Sequence, residues 1–305
     1  MEIRDAGLNP LHGAETARDV SGIFHPESIA LIGIPRGLKP GKVFFLGLLD
    51  QGYEGPIYLV HPQAGTIDGY PAYRSVLHVL GPVDLAIVMS PRDTVRNALE
   101  ECGIKKVKYV ILYTSGFSEL GDEEGQKAEE RMRGLARSGG FRILGTNCMG
   151  IYSPASKMAP FPFMPKTPGE IALLSQSGSI VNLFLTACAE KRLFFRHAVS
   201  YGNSCDIDLP ELLSTVMAMD EVGLVGCYCE GTDPRRLGAV LKENAGSKPL
   251  IMWKVGQTHA GMRAASSHTG SITGSSDLWK SLFRQHGVIE VSNIEEMLDT
   301  TMIFS

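Results

Sequence analysis

The chain carries no excess of positive charge: 29 lysines and arginines stand against 33 aspartates and glutamates, for a formal net charge of −4. That balance excludes a general nucleic-acid surface, because a phosphate backbone is held chiefly by clustered Lys and Arg. No apolar run approaches the roughly 20 residues of a membrane span. The opening MEIRDAGLNPLHGAETARDV lacks the basic-then-apolar order of a signal peptide. Six cysteines (102, 148, 188, 205, 227 and 229) are scattered without the spacing of a disulfide framework, so a reduced, cytoplasmic setting is expected. Cys227 and Cys229 alternate within LVGCYCEG as small apolar residues on one face of a buried strand. A structural metal site needs about four ligands, and none is expected here.

Two nucleotide fingerprints are also missing. The glycines at 33, 37 and 41 do not form G-x-G-x-x-G. Nor is there a G-x-x-x-x-G-K-[ST] loop, since Arg36 holds the first glycine position and Val43 follows Lys42. The second candidate strand, IYLV, runs into His61-Pro62, with no acid to hold a ribose hydroxyl. A nicotinamide-dependent oxidoreductase is thereby disfavoured.

What is present is a strand–helix rhythm that runs through the chain twice. At 305 residues, 44% hydrophobic and with 34 glycines, the sequence fits an α/β protein of about two domains. Continuous apolar runs at 28–34, 56–60, 84–89, 109–114 and 142–145 read as strands buried on both faces, with helices starting at 42 and spanning 92–102 and 122–138. Five prolines break the pattern within 153–169. The rhythm then resumes with strands at 171–175, 197–202, 224–230, 249–255 and 288–291 and helices at 178–191, 209–219, 234–245, 275–286 and 293–302. Two parallel-sheet domains in tandem, Rossmann- or flavodoxin-like, are expected. At the helix from 209, Asp208 reads as the cap, Pro210 fits the first turn, and Glu211 completes a capping box.

Three stretches carry chemistry. LIGIPRGLKPGKV (31–43) brings Arg36, Lys39 and Lys42 to the end of the first strand, a setting for a ligand with several phosphates. SQSG (175–178) follows a strand and opens a helix, so its N–H groups and dipole face an anion. AASSHTGSITGS (264–275) surrounds His268 with small and hydroxylated residues, as in a phosphate nest. Neutral imidazole is a competent nucleophile near neutral pH, and small neighbours leave its approach open. The other seven histidines (12, 25, 61, 78, 197, 259 and 286) lack such a setting, and surface or packing roles are expected for them.

Taken in order, LIGIPRGLKPGKV, YLVHPQ, DLAIVMSP, SGFSELGDEEG, RILGTNCMGIYSP, IALLSQSGS, YGNSCDIDLPELL, CEG, AASSHTGSITGS and FRQHGVIEV resemble the ADP-forming (NDP-forming) acyl-CoA synthetases, relatives of the succinyl-CoA synthetase alpha subunit. The resemblance runs from about residue 21 to the end. It implies an N-terminal tail (1–20), a Rossmann-like CoA-binding domain (21–155), a proline-rich linker (156–169) and a flavodoxin-like ligase domain (170–305). It also implies coenzyme A held by Gly33, Arg36, Gly41 and Lys42, with Pro62, Ser90 and Pro91 along the adenosine side. GTNCMG matches the family's GPNCMG near the thiol end, so Asn147 and Cys148 are implied beside the reacting carbonyl. Two departures stand out: Thr146 replaces a proline, and Pro35 stands where serine is usual and removes a donor. Nothing near Cys148 in sequence lowers its pKa, and a structural role is preferred to a nucleophilic one.

By the same resemblance His268 carries phosphate between acyl phosphate and nucleotide, with Glu230 as its acidic partner. Ser175, Gln176, Ser177, Gly178, Ser267, Thr269 and Gly270 would bind the phosphate. ADP or ATP, with Mg, would be held by an ATP-grasp beta subunit or domain that these residues cannot supply. A hetero- or homo-oligomer acting on a small carboxylic acid and CoA is implied. A regulatory CoA-binding module without catalysis is the alternative; the intact His268, Glu230 and SQSG speak against it. APFPFM within the linker is either part of an apolar acyl pocket or a hydrophobic segment packed on the domain seam.

Overall fold

Two buried sheets account for the chain's apolar runs. The computed structural model describes residues 18–37, 39–63, 65–256 and 276–305. The first sheet contains β1 (Ile29–Ile32), β2 (Ile57–Val60), β3 (Gly65–Ile67), β4 (Tyr70–Tyr73), β5 (Leu85–Val88), β6 (Tyr109–Leu112) and β7 (Arg142–Gly145). Their order is β3-β4-β2-β1-β5-β6-β7. All pairs are parallel except β3 with β4. Without the β3 edge this is the doubly wound Rossmann order, which reverses direction between β1 and β5.

Every residue of β1 is buried, and successive side chains serve opposite faces. Ile29 and Leu31 pack with Phe44, Phe45 and Leu48 of α1 (Lys42–Gln51). Ala30 and Ile32 pack with Val95 and Leu99 of α2 (Val95–Lys105) and with Met132 and Ala136 of α3 (Glu123–Gly139). Each large apolar side chain so enclosed contributes of order 1.5–3 kcal/mol. α1 stops at Gly52, whose left-handed backbone (φ 74°) turns its N–H back onto the Leu48 and Leu49 carbonyls.

The second sheet contains β8 (Gly150–Tyr152), β9 (Ile171–Ser175), β10 (Phe195–Ser200), β11 (Leu224–Cys229), β12 (Leu250–Lys254) and β13 (Ile289–Glu290), ordered β13-β12-β11-β9-β10-β8. β8 is antiparallel to β10 and the remaining pairs are parallel, giving the flavodoxin order from β9 onward. Its helices are α4 (Gly178–Glu190), α5 (Leu209–Met217), α6 (Pro234–Glu243), α7 (Ser276–His286) and α8 (Ile294–Phe304). The expected pair, Rossmann-like and then flavodoxin-like, is the observed architecture. No helix among the described residues is long and apolar enough to cross a membrane.

Three strands were not legible as apolar runs. β3 and β4 form a half-exposed edge that includes Pro71, and β8 is three residues long. β8 lies ahead of the proline-rich stretch yet already belongs to the second sheet.

The cap at α5 departs from the expected box in one respect. Asp208 accepts from the Glu211 N–H at 3.2 Å, as a cap should. The Glu211 carboxylate does not turn back to the cap. It accepts from Arg142 at 2.8 Å, while the same guanidinium donates to Asp206 at 2.9 Å. A fork-shaped cation on β7 outcompetes a neutral amide for the carboxylate, and the result ties the two domains together. APFPFM packs on this seam. Ala159 and Met164 are buried, and Gln51 of α1 donates to the Met164 carbonyl at 2.9 Å, while Phe163 faces outward.

Candidate functional site

Each sheet has one switch point, and most of the described residues singled out in the sequence lie near one or the other. In the first domain it lies beyond the carboxyl ends of β1 and β5. Gly33 follows β1 with φ 79°, and a Cβ there would lie 2.6 Å from the Ser90 hydroxyl and 2.8 Å from its amide nitrogen. Only glycine permits this approach. At Gly41 a Cβ would meet the Met89 sulfur at 2.8 Å. Gly41 is also the N-cap of α1 and gives it no side-chain cap, which leaves the amide end of the helix to other partners. Pro62 and Pro91 sit exposed just beyond β2 and β5, and Ser90 is buried between them and the sheet.

The three cations of the loop do not behave alike. Arg36 and Lys39 are exposed, and the Arg36 guanidinium donates to the Gln63 carbonyl. Lys42 is buried at 2% exposure with its ammonium 2.6 Å from the Asp68 carboxylate, which is half exposed. Asp68 was not foreseen. Its signal was the Asp68-Gly69 pair of a tight hairpin, where Asp68 takes φ 53°. The hairpin's apposition to α1 exists only in the folded chain.

The GTNCMG segment leaves β7 and passes toward the second domain. Asn147 adopts φ 52°, and its N–H donates to the Thr114 carbonyl at 3.1 Å. Cys148 is buried in the core, and loss of hydration pushes its thiol up to about 12. A thiol so placed is no nucleophile, which agrees with the structural reading. Thr146, where the resemblance leads one to expect proline, hydrogen-bonds the buried Glu129 carboxylate. Asn203 donates to the same Glu129 at 2.8 Å, to Glu119 at 2.6 Å and to the Thr146 hydroxyl at 2.9 Å. The departure from proline thus supplies a hydroxyl to a buried polar cluster. Gly202 lies so close that a Cβ would meet the Thr146 carbonyl oxygen at 2.1 Å.

In the second domain the switch point lies between β9 and β11. Ser175 ends β9, and Ser177 caps α4 by accepting from the Ile180 N–H at 3.4 Å. The Ser175 hydroxyl donates to the Ser177 carbonyl at 2.8 Å and accepts from the Ser177 N–H at 3.1 Å. Both hydroxyls therefore brace the turn, and the loop offers an anion the amide end of α4. Gln176 is buried, and its side-chain oxygen accepts from the Glu230 N–H at 2.5 Å and from the Gly231 N–H at 2.8 Å. Glu230 follows β11, is 7% exposed, and has the Tyr228 hydroxyl 3.4 Å from one carboxylate oxygen. One residue that sequence reading missed joins it. Lys254, at the end of β12, donates to the Glu230 carbonyl at 2.7 Å, and burial lowers its pKa against the pull of Cys229 and Glu230. Its ammonium also lies 5.3 Å from the centre of the Trp279 ring on α7.

The two sites adjoin. A Cβ at Gly178 would fall 2.2 Å from the sulfur of Met149, so GTNCMG and SQSG touch side by side. Met149 donates its N–H to the Ser200 hydroxyl at 3.1 Å, fixing that contact to β10. His268, Ser267, Thr269 and Gly270 lie outside the described residues.

Residues 27–154 match the model of a CoA binding domain, and residues 168–304 match that of a succinyl-CoA ligase like flavodoxin domain. The chain belongs to the ADP-forming acyl-CoA synthetase family. It is 38% identical over 289 residues to the alpha subunit of acetate–CoA ligase [ADP-forming] I from Pyrococcus furiosus, covering 92% of this chain and 62% of that one. It is 36% identical over 284 residues to acetate–CoA ligase [ADP-forming] I from Archaeoglobus fulgidus, covering 92% of this chain and 41% of that one. Among solved structures, the dinucleotide forming acetyl-coenzyme A synthetase 1 of Ca. Korarchaeum cryptofilum, in complex with phosphate and ADP, superposes with a TM-score of 0.87 at 32% identity, over 94% of this chain and 62% of that chain. This synthetase-family chain thus spans 62% of one curated relative and 41% of the other.

Proposed function

We propose that this chain is the alpha-type component of an NDP-forming acid–CoA ligase, interconverting acyl-CoA, phosphate and ADP with the free acid, CoA and ATP. The observation that carries the reading is the contact between the two switch points, where the segment after β7 meets the N-terminus of α4 through Met149 and Gly178. One site suits CoA: Gly33 and Gly41 allow close backbone approach, Arg36 and Lys39 supply exposed positive charge for phosphates, and Lys42 lies behind them on Asp68. The other suits a phosphoryl group: the amide end of α4 offers a dipole attraction of about 0.3–1 kcal/mol, or ~2 when partly buried.

In the thioester-consuming direction, phosphate attacks the acyl carbonyl, the C–S bond breaks, and CoA leaves as its thiolate. The product is an acyl phosphate. An imidazole nitrogen of His268 then takes the phosphoryl group and releases the acid as its carboxylate. The role given to Glu230 is that of acceptor for the other ring N–H, which would fix the tautomer and raise the basicity of the attacking nitrogen. Transfer onward to ADP belongs to an ATP-grasp subunit or domain, which would also hold Mg. The greater length of the relatives supports such a partner.

The test is labelling with radioactive phosphate across a panel of acyl-CoAs, using wild type and His268→Ala. A label that is acid-labile, alkali-stable, dependent on one acyl-CoA and absent from the variant is the expected result. A protein that binds CoA but takes no label, even with an ATP-grasp partner added, would overturn the catalytic reading.

A further inference from the structure

A second cluster of chemistry-bearing side chains lies away from both switch points. His25, His197 and Glu221 each bring one ligand atom within 4.8 Å of the other two. They come from three separate parts of the chain, and a fourth segment supports them: His25 follows the 3₁₀ turn Ser21–Phe24, His197 lies on β10, and Glu221 sits on the turn between α5 and β11. The fourth contributor is the start of the proline-rich stretch. Its Ser156 hydroxyl lies 2.9 Å from His25 Nδ1, and its Ser153 hydroxyl lies 3.1 Å from His197 Nδ1. Both imidazoles are therefore gripped at Nδ1, which leaves Nε2 as the coordinating atom. Histidine ligands to metals are held this way, with the second nitrogen in a hydrogen bond that sets tautomer and ring orientation.

His197 is the residue that needs explaining. It is fully buried, and its Nε2 has no hydrogen-bond partner among the described residues. A buried imidazole nitrogen left unpaired is costly, because its hydration is lost with nothing in exchange. The strand is also irregular at this point: Phe195 pairs with Ile171 and His197 with Ala172, so Arg196 is an inserted residue. Bulges of this kind re-aim side chains and are common beside functional sites. Phe24 stacks on the ring at 4.1 Å and holds its plane.

We propose that His25, His197 and Glu221 form a site for a divalent first-row transition ion, of which Zn²⁺ is the natural probe, with Ser153 and Ser156 orienting the two imidazoles. Two histidines and one carboxylate make a known zinc ligand set that keeps a fourth position open. Tetrahedral zinc places its ligand atoms roughly 3.4 Å apart at metal–ligand distances of about 2.0–2.1 Å. Closure from 4.8 Å requires movement only of the two exposed ligands, His25 and Glu221. The ion would clasp the N-terminal turn, the stretch between the domains and β10. The proposal departs from the expectation of no metal and of surface or packing roles for His25 and His197.

The experiment is titration of chelator-treated, full-length protein with Co²⁺ and Zn²⁺, followed by visible absorption, equilibrium dialysis and thermal unfolding. The expected result is one Co²⁺ per chain with the intense d–d bands of a low-symmetry site, displaced by Zn²⁺, and a Tm that rises with Zn²⁺. Ser156→Ala should weaken binding about 10–100-fold, and His25→Ala and Glu221→Gln should weaken it more. Neither His25 nor Glu221 is buried, so those variants should fold, and circular dichroism checks it. His268→Ala should bind as wild type. Failure to bind an ion, or equal binding by His25→Ala and Glu221→Gln, overturns the proposal.

Discussion

Gln176 joins the two loops of the second switch point, and replacing it separates stability from chemistry. In Gln176→Met the side-chain volume is nearly kept, but the acceptor shared by the Glu230 and Gly231 amides is lost. Each buried amide left unpaired costs about 1–3 kcal/mol. Both lie near the surface end of β11, where water can relieve part of the loss, so a total of about 2–4 kcal/mol is expected. For a chain of this length about 2 °C of Tm accompanies each kcal/mol, giving a fall of roughly 4–8 °C. Thermal unfolding measures it, and phosphate labelling of His268 should fall as well, because Glu230 loses its anchored backbone. Gln176→Glu keeps an oxygen for both amides and should recover most of the Tm. It sets a second carboxylate beside Glu230 and the α4 terminus, so labelling should stay low. A Gln176→Met protein that melts within about 1 °C of wild type and labels normally would refute the account of this loop.

Three further outcomes are expected. Glu211→Gln should lower stability by more than 1 kcal/mol in urea unfolding, and the loss should vanish in an Arg142→Met background; a true capping box would accept glutamine without loss. Cys148 should resist alkylation in the native protein at pH 8, since its thiol is pushed up to about 12, and Cys148→Ala should label with phosphate within about threefold of wild type, where loss of a nucleophile costs orders of magnitude. Burial tends to raise the Asp84 carboxyl, but hydrogen bonds from Lys108, the Glu27 amide and Ser28 hold it below the usual range. Its folded-state pKa being depressed, the stabilisation is present above the unfolded value of about 3.9 and fades as pH falls through the folded one. Stability measured from pH 5 downward should therefore decline less in Asp84→Asn than in wild type.

Much of the candidate site was legible because it consists of short, contiguous, small-residue segments at strand ends. Gly33, SQSG and Glu230 each stand at the end of an apolar run, and that position places them at the carboxyl edge of a parallel sheet, while Gly41 directly precedes the helix that follows. Asp68, Lys254, Asn203 and Glu129 were not legible. Their partners are Lys42, Glu230 and Thr146, between 17 and 57 residues away, and no local pattern announces such pairings. The Glu211 carboxylate shows the same limit from the other side. Its sequence position is that of a cap residue, and an arginine 69 residues upstream takes it.

Sequence alone determined the helices and all the strands but β3, β4 and β8, since each is written in the spacing of apolar residues along a few turns or one strand. It also determined the chemistry on offer: a basic glycine loop, an amide-rich turn, and a histidine among small hydroxylated residues. Tertiary structure decided which of these groups meet. The sheet orders bring Gly33 beside Ser90 and Gln176 beside Glu230, and the Met149–Gly178 contact joins the two switch points. The same folding brings His25, His197 and Glu221 together, three residues with nothing in common along the chain. Period and propensity act over neighbours, whereas an ion pair, a close backbone approach or a ligand set is a distance in space, and only the closed fold fixes it.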